Sequence, residues 1–245
     1  MLSNEECCVL SEVQKGMYFD CLVGNSAAYN ISFSLLIEDL KYSVFNTAFK
    51  LVVAEQLSLR SRIVSVADEL KLELSNSVVL DLQEHSIADA DCADLDELYA
   101  SVIAREFDLN QDQMFRAMLY KLDKNKHVFI FVSHHIVTDG ISLDIIRKKI
   151  LDNYTALSNN TPVQLSTDAG YFKYICNENK KLSTNKYAKH KSYWISKLQG
   201  AEPLSLCYDF ARNQKLKSVG KEVSFAIPSD LASKIQDIEI GRAHV

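Results

Sequence analysis

The feature that most constrains this chain is an apolar run that ends in two histidines. Residues 128–132 comprise two aromatic and three β-branched side chains, a composition that predicts a strand buried on both faces. His134 and His135 follow one residue later, and Asp139 and Gly140 precede the next periodic pattern. Titratable side chains at the end of a buried strand are a common setting for an active site.

The spacing of the two histidines predicts different surroundings for them. Successive side chains of a strand point to opposite faces, so we expect one imidazole inside the fold and the other in a cleft. An imidazole in a cleft can accept or donate a proton near neutral pH. We expect Asp139 either to cap the next helix or to be a buried anion paired with an arginine. Gly140 is expected to allow a backbone angle or a close approach that other residues resist.

Two other interpretations of this cluster compete with a catalytic one. Both histidines can be satisfied core residues that take no part in chemistry. Histidine and aspartate are also metal ligands, but the opposed directions of the two imidazoles make joint chelation awkward. No third histidine and no cysteine pair stands at ligand spacing, and we therefore predict no metal site.

Periodic patterns on both sides of the run predict an α/β fold. Alternating apolar residues at 31–37 predict a strand, and residues 115–122 predict another that forms an antiparallel hairpin with the central run. Apolar residues spaced by three and four after Gly140 predict an amphipathic helix on the sheet. Further strands are predicted at 59–64, 70–74 and 78–82, and further helices from Ser11, at 43–57, at 95–105 and from Tyr171.

Composition and charge argue against several classes of protein. The 245 residues are 47% hydrophobic and 24% charged, which is typical of a globular protein. A net charge of −5 argues against a nucleic-acid partner, and no apolar run reaches the length of a membrane span. The acidic N-terminus does not have the form of a signal peptide. The six cysteines form no CxxC pair and suggest no disulfide framework, so we expect a cytoplasmic protein with reduced thiols.

The central motif resembles a known signature. The segment His134-His135-Ile-Val-Thr-Asp139-Gly140 resembles the HHxxxDG motif of the condensation domains of nonribosomal peptide synthetases. These domains belong to the superfamily of chloramphenicol acetyltransferase-like acyltransferases. The resemblance implies an α/β chloramphenicol acetyltransferase-like lobe, with a mixed sheet and helices packed on it.

Three other segments resemble further motifs of this family. The first motif is matched by Ser11-Glu-Val-Gln14. The end of the second is matched by Leu59-Arg60-Ser61-Arg62-Ile63, although its Arg-His-Glu start is here Glu55-Gln56-Leu57. The fourth is matched by Tyr171-Phe-Lys-Tyr174, in which Lys173 replaces an aspartate.

The resemblance implies peptide-bond formation between two thioesters, a donor acyl or peptidyl group and an acceptor aminoacyl group. His135 is the expected catalytic residue, and His134, Asp139 and Gly140 are the supporting residues of the motif. Asp139 is then expected to hold an arginine, and Arg60 or Arg62 to form a structural ion pair.

The expected partners are carrier protein domains and the adenylation domain of the same synthetase, with no nucleic acid and no membrane. No cofactor is expected to bind directly, because the phosphopantetheine arms of the carriers hold both substrates. Two alternatives stay open, namely another acyltransferase of the superfamily that uses coenzyme A or a carrier, and a non-catalytic docking module.

The resemblance extends over about half of a condensation domain. We expect an N-terminal lobe at 1–175, and a linker helix with the start of a truncated second lobe at 176–238. The last seven residues, 239–245, resemble the translation of a sequencing adapter. We therefore expect a non-native tail there, and an isolated chain that is inactive.

Overall fold

The computed structural model describes residues 7–24, 26–75, 78, 81–87, 94–164, 166, 170–202, 204–205, 207, 223 and 225–238. The chain divides into two compact units, Met1–Leu206 and Cys207–Val245. The strands are β1 Cys7–Val9, β2 Asn30–Glu38, β3 Ser61–Val66, β4 Glu69–Leu74, β5 Glu84–Ser86, β6 Phe115–Lys121 and β7 Lys126–His134. The helices are α1 Glu12–Val23, α2 Tyr42–Glu55, α3 Leu95–Ala104, α4 Gly140–Ser158, α5 Gly170–Leu182, α6 Asn185–Leu198 and, in the second unit, α7 Ser229–Ile238.

The predicted apolar run forms the core of β7, an inner strand of a four-stranded sheet ordered β2-β7-β6-β5. Strand β7 pairs antiparallel with β2 on one side and with β6 on the other. The predicted hairpin is therefore confirmed. The short edge strand β5 runs parallel to β6, so the sheet is mixed.

Helices cover both faces of this sheet, which explains the unbroken apolar run. Phe129 and Phe131 belong to one buried cluster, to which α2 and α4 contribute. Val128, Ile130 and Val132 belong to another, to which α3 contributes. The alternation means that residue 134 continues the second face and residue 135 the first.

A second sheet of three antiparallel strands is ordered β1-β4-β3. The strand predicted at 78–82 is wrong at its described positions, because Val78, Asp81 and Leu82 lie outside any strand. Residues 79 and 80 are outside the described part of the chain. Asn46 Oδ1 instead accepts a hydrogen bond from Leu82 N at 3.1 Å, which holds this segment against α2.

Helix α5 is fastened to strand β1. A disulfide joins Cys8 to Cys176, whose Cα atoms are 6.0 Å apart, and Asn179 Nδ2 donates a hydrogen bond to Val9 O at 2.7 Å. The prediction of reduced thiols is thus wrong for this pair. The two cysteines are 168 residues apart in the sequence, so no short spacing pattern could predict this disulfide. Because α5 runs through residues 175 and 176, the predicted division into lobes falls inside a helix, and that division stays a prediction.

Among the described helices, none combines the length and the apolar character needed to cross a membrane.

Candidate active site

The two histidines stand where β7 ends, and backbone hydrogen bonds fix the chain there. His134 N donates to Met114 O at 3.0 Å, and His135 N donates to Tyr29 O at 2.8 Å. Val137 N then donates to His134 O at 3.2 Å, which closes a turn. The direction of each imidazole is therefore set by the sheet and by the turn that follows it.

His134 lies inside the fold, as one of the two histidines was predicted to do. Its side chain is fully buried, and its Nδ1 accepts a hydrogen bond from Ile136 N at 3.2 Å. Burial, together with the neighbouring His135, lowers the pKa of His134 to about 4. The ring is therefore neutral near pH 7, with its proton on Nε2, and it packs beside Tyr29 and Phe107.

His135 lies in a cavity of about 440 Å³, as the alternation along the strand predicts. Within the described residues, its imidazole has no hydrogen-bond partner, which leaves both ring nitrogens available to a ligand. The cavity is lined by residues of α1, of the segment after α2, of the turn after β7, and of α4 and α5: Ser11, Val13, Gln14, Met17, Gln56, Ser58, His135, Ile136, Val137, Thr138, Asp139, Ser142, Ile145, Ile146, Tyr171, Tyr174 and Glu178.

Asp139 is the N-cap of α4, which was one of its two predicted roles. Its Oδ1 accepts hydrogen bonds from Ser142 N at 2.7 Å and from Ser142 Oγ at 2.6 Å. These bonds hold the pKa of the carboxyl below its ordinary value. The side chain is exposed rather than buried, so its charge needs no arginine to neutralise it.

The expected pair between Asp139 and an arginine does not form in the described structure. Arg62 makes two hydrogen bonds to Glu73 Oε2, at 2.9 and 2.7 Å, across the β3–β4 ladder. Arg60 Nη1 donates to Ala54 O at 3.4 Å. The structural ion pair expected of Arg60 or Arg62 is present for Arg62, whose partner is Glu73, and neither arginine bonds to Asp139 among the described residues.

Gly140 does not fill the backbone role expected of it. It is the first residue of α4, and its φ is not in the left-handed region. A Cβ added there would meet nothing within 4 Å. Neither conformation nor crowding of the protein chain requires glycine at this position.

Gln14 and Tyr171 are polar residues of the cavity that the prediction of site residues missed. The side chain of Gln14 is 3% exposed. Its Nε2 donates to Ile136 O and to the Tyr171 hydroxyl, at 2.9 Å in each case. The resemblance of their two segments to family motifs was the signal that could have identified them.

A larger hollow, of about 1020 Å³, lies along α6 and is mainly apolar. Its walls include Trp194 and Ile195, which are 56% and 63% exposed. The smaller cavity is the candidate site, because it holds His135 and the polar groups around it. In the described part of the chain, no group of three or more histidine, cysteine, aspartate or glutamate side chains is arranged to hold a metal ion.

Comparison with known proteins identifies the family. The family model for the condensation domain matches residues 4–240. Bacitracin synthase 3 of Bacillus licheniformis is 25% identical over 233 residues, which are 94% of this chain and 4% of the synthase. Tyrocidine synthase 3 of Brevibacillus parabrevis is 27% identical over 232 residues, which are 94% of this chain and 3% of that synthase.

Among solved structures, the starter condensation domain of rhizomide synthetase RzmA superposes with a TM-score of 0.71 at 19% identity, over 80% of this chain and 49% of that one. This likeness confirms the predicted chloramphenicol acetyltransferase-like α/β fold. The chain spans about half the length of that domain and a few per cent of the curated synthetases. Because the family model matches nearly all of its length, the chain belongs to the condensation domain family.

Proposed function

We propose that this chain supplies the His135 side of a condensation domain that forms an amide bond in nonribosomal peptide synthesis. The donor is an acyl or peptidyl thioester, and the acceptor is the amine of an aminoacyl thioester. Each is held on the phosphopantetheine arm of a carrier domain, in a synthetase that also contains an adenylation domain. The observation that carries the proposal is the imidazole of His135 in its cavity, which has no hydrogen-bond partner among the described residues.

The reaction needs one proton transfer, and an imidazole can carry it out. The amine nitrogen attacks the donor carbonyl carbon, a C–N bond forms, and the C–S bond breaks. The departing sulfur takes up the proton that the nitrogen loses, so the products are an amide and a free thiol. His135 either accepts that proton from the nitrogen and passes it to the sulfur or only orients the amine, while neutral His134 holds the turn on which His135 lies.

The dimensions of the cavity support small, extended substrates. A volume of about 440 Å³ falls within the range of about 300–1,000 Å³ that is usual for ligand sites. An acyl or aminoacyl group on a narrow pantetheine arm suits a cavity of this size. We propose that a second half of similar length completes the domain, since the RzmA domain is about twice as long as the matched region.

Two solved structures of similar fold correspond to the two alternative functions. One RzmA structure is a complex with C8-CoA, and another neighbour is the X-domain in complex with OxyB from teicoplanin biosynthesis. Acyl transfer from coenzyme A and docking without catalysis are therefore the functions against which the proposal is tested. Both alternatives predict that carrier-bound thioesters are not converted to an amide.

The test is single-turnover amide formation by the completed domain with loaded carrier domains. His135→Ala should lower the rate at least about 100-fold, the usual contribution of a general acid–base group. It should leave the melting temperature unchanged, because the imidazole has no hydrogen-bond partner among the described residues. His135→Gln, which can orient an amine but does not titrate, separates positioning from proton transfer.

His85→Ala is the matched control. His85 is exposed on β5, and its neighbour Tyr120 pairs with Val128. Val128 is seven strand positions from His135, roughly 23 Å at 3.3 Å per residue. Equal rates for His135→Ala and His85→Ala would overturn the assignment of His135. A wild-type domain that forms no amide would overturn the proposed function.

A further inference from the structure

The amide of Gln14 has its orientation fixed from three sides. Its Oε1 accepts a hydrogen bond from Ser11 N at 3.0 Å, where only an acceptor fits. Its Nε2 faces Ile136 O, where only a donor fits, and also the Tyr171 hydroxyl. Because an amide nitrogen has no lone pair to offer, Gln14 donates to the Tyr171 oxygen and cannot receive its proton.

The proton of the Tyr171 hydroxyl is therefore available to another acceptor. Gln14 is the one hydrogen-bond partner of this hydroxyl within the described residues. Asp139 lines the same cavity, but its hydrogen bonds are made to Ser142. Burial, followed by the charge of Asp139, raises the pKa of Tyr171 to about 12, so the hydroxyl keeps its proton at neutral pH.

Tyr171 and His135 line the same cavity, and Gln14 connects them. The residue that follows His135 is Ile136, whose carbonyl accepts one of the two Gln14 donors. The other donor holds Tyr171. One buried amide therefore sets the position of the tyrosine relative to the turn that carries the imidazole.

We propose that the Tyr171 hydroxyl donates a hydrogen bond to the carbonyl oxygen of the donor thioester and stabilises the oxyanion that develops there. This inference rests on the proposed function. As the amine attacks, the carbonyl electron pair moves to oxygen and the oxyanion accepts the Tyr171 hydrogen bond. When that pair returns, the C–S bond breaks and the sulfur leaves, while the tyrosine keeps its proton throughout.

The anchoring of α5 suits such a donor. Tyr171 is the second residue of the helix, and the neighbouring Phe172 and Ile175 are buried. The Cys8–Cys176 disulfide and the hydrogen bond from Asn179 to Val9 O fasten the same helix to β1. A donor that is already fixed needs little reorganisation as charge develops, which is the condition for strong oxyanion stabilisation.

The test compares Tyr171→Phe with Tyr42→Phe in the completed domain, using the single-turnover assay. Tyr42 is a matched control because its hydroxyl also makes one hydrogen bond, to Leu82 O at 2.5 Å. It lies at the start of α2, 14 residues from the cavity residue Gln56, roughly 20 Å along the helix. Each variant thus loses one hydrogen-bonded hydroxyl and keeps the ring.

Tyr171→Phe should lower the single-turnover rate about 10- to 100-fold with little change in KM, because the lost bond forms mainly in the transition state. Tyr42→Phe should stay within about twofold of the wild-type rate. 3-Fluorotyrosine at position 171 carries the hydroxyl that phenylalanine lacks, and this hydroxyl is more acidic than that of tyrosine, so its incorporation should restore the rate. This rescue separates a donated hydrogen bond from a structural role of the ring.

Three results would overturn the assignment of Tyr171 while leaving the proposed function in place. They are a Tyr171→Phe rate equal to that of Tyr42→Phe, a loss that appears in KM alone, and a loss that 3-fluorotyrosine does not restore. In each case His135→Ala would still lower the rate of amide formation at least about 100-fold in an otherwise active domain. An inactive wild-type domain would instead refute the function on which this inference rests.

Discussion

Replacing Asp139 with alanine should lower the free energy of unfolding by about 1–2 kcal/mol. The carboxylate accepts hydrogen bonds from Ser142 N and Ser142 Oγ at the first turn of α4. Loss of such a cap costs about 0.5–2 kcal/mol, and loss of a negative charge near a helix N-terminus costs about 0.3–1 kcal/mol. Leaving a buried arginine without its partner would instead cost about 3–5 kcal/mol. The magnitude therefore distinguishes a cap from an ion pair.

The loss should also depend on pH, with a sign that follows from the pKa. The hydrogen bonds from Ser142 lower the pKa of Asp139 in the folded protein below its ordinary value of 3.8. Below that value the unfolded chain takes up the proton first, so falling pH favours unfolding. The stabilisation by Asp139 is fully present above the ordinary value and is lost as pH falls through the folded pKa. The difference between wild type and Asp139→Ala should shrink over that interval.

Asp94→Ala is the matched control for this prediction. Asp94 is the N-cap of α3 and accepts a hydrogen bond from Glu97 N at 2.9 Å, but it does not line the cavity. Urea unfolding should give similar losses for the two variants, and amide formation by the completed domain should fall little in either. A loss above about 3 kcal/mol for Asp139→Ala alone would refute the cap argument. Similar stability with activity lost only in Asp139→Ala would mean that this carboxylate acts on the substrate.

Three other predictions concern the free energy of unfolding. Gly140→Ala should leave the free energy of unfolding unchanged or raise it by up to about 1 kcal/mol, because alanine favours a helix and a Cβ meets nothing there; a large loss in a urea melt would contradict this. Since burial lowers the pKa of His134 from 6.5 to about 4, the unfolded chain protonates first, and up to about 3 kcal/mol of stability should be lost as pH falls from 6.5 to 4. His134→Gln should flatten that pH dependence, and an unchanged slope would assign it to other groups. Replacing both Cys8 and Cys176 with serine should lower the free energy of unfolding by about 2–5 kcal/mol, to the value that reduced wild type gives in the same urea melt. Equal free energies of unfolding for the oxidised and the reduced protein would refute the stabilising role of the bond.

Much of the sheet could be predicted because its signals are local. The alternation at 31–37 predicted a strand with one more exposed face, and this segment lies in β2. The unbroken apolar run at 128–132 predicted a strand covered on both faces, and it lies in β7. The same alternation predicted that His134 and His135 lie in different surroundings. The helix after Gly140 also followed from its own spacing, and its Asp139 cap was one of two roles predicted.

Helix α1 shows where a local pattern misleads. Its apolar spacing predicts a core-facing stripe of Val13, Met17, Tyr18, Phe19 and Leu22. Tyr18 is buried and Met17 is partly buried, but Val13, Phe19 and Leu22 are 68%, 56% and 62% exposed. The residues buried on this helix are Gln14 and Tyr18. Burying Gln14 is tolerable because all three of its polar bonds are made, and this compensation depends on partners that the helix does not contain.

The contacts that assemble the site join residues far apart in the chain. Gln14 is 122 residues from Ile136 and 157 from Tyr171, and Cys8 is 168 residues from Cys176. Periodicity compares neighbours two, three or four positions apart, so it carries no information about such pairs. What a single sequence does carry is the capacity of each side chain to bond. A glutamine at the third position of a helix can complete the capping box with Ser11 and still has two N–H donors to place. Those two donors reach Ile136 O and the hydroxyl of Tyr171, which is why the cap of α1 and the position of the Tyr171 hydroxyl in the cavity depend on the same side chain.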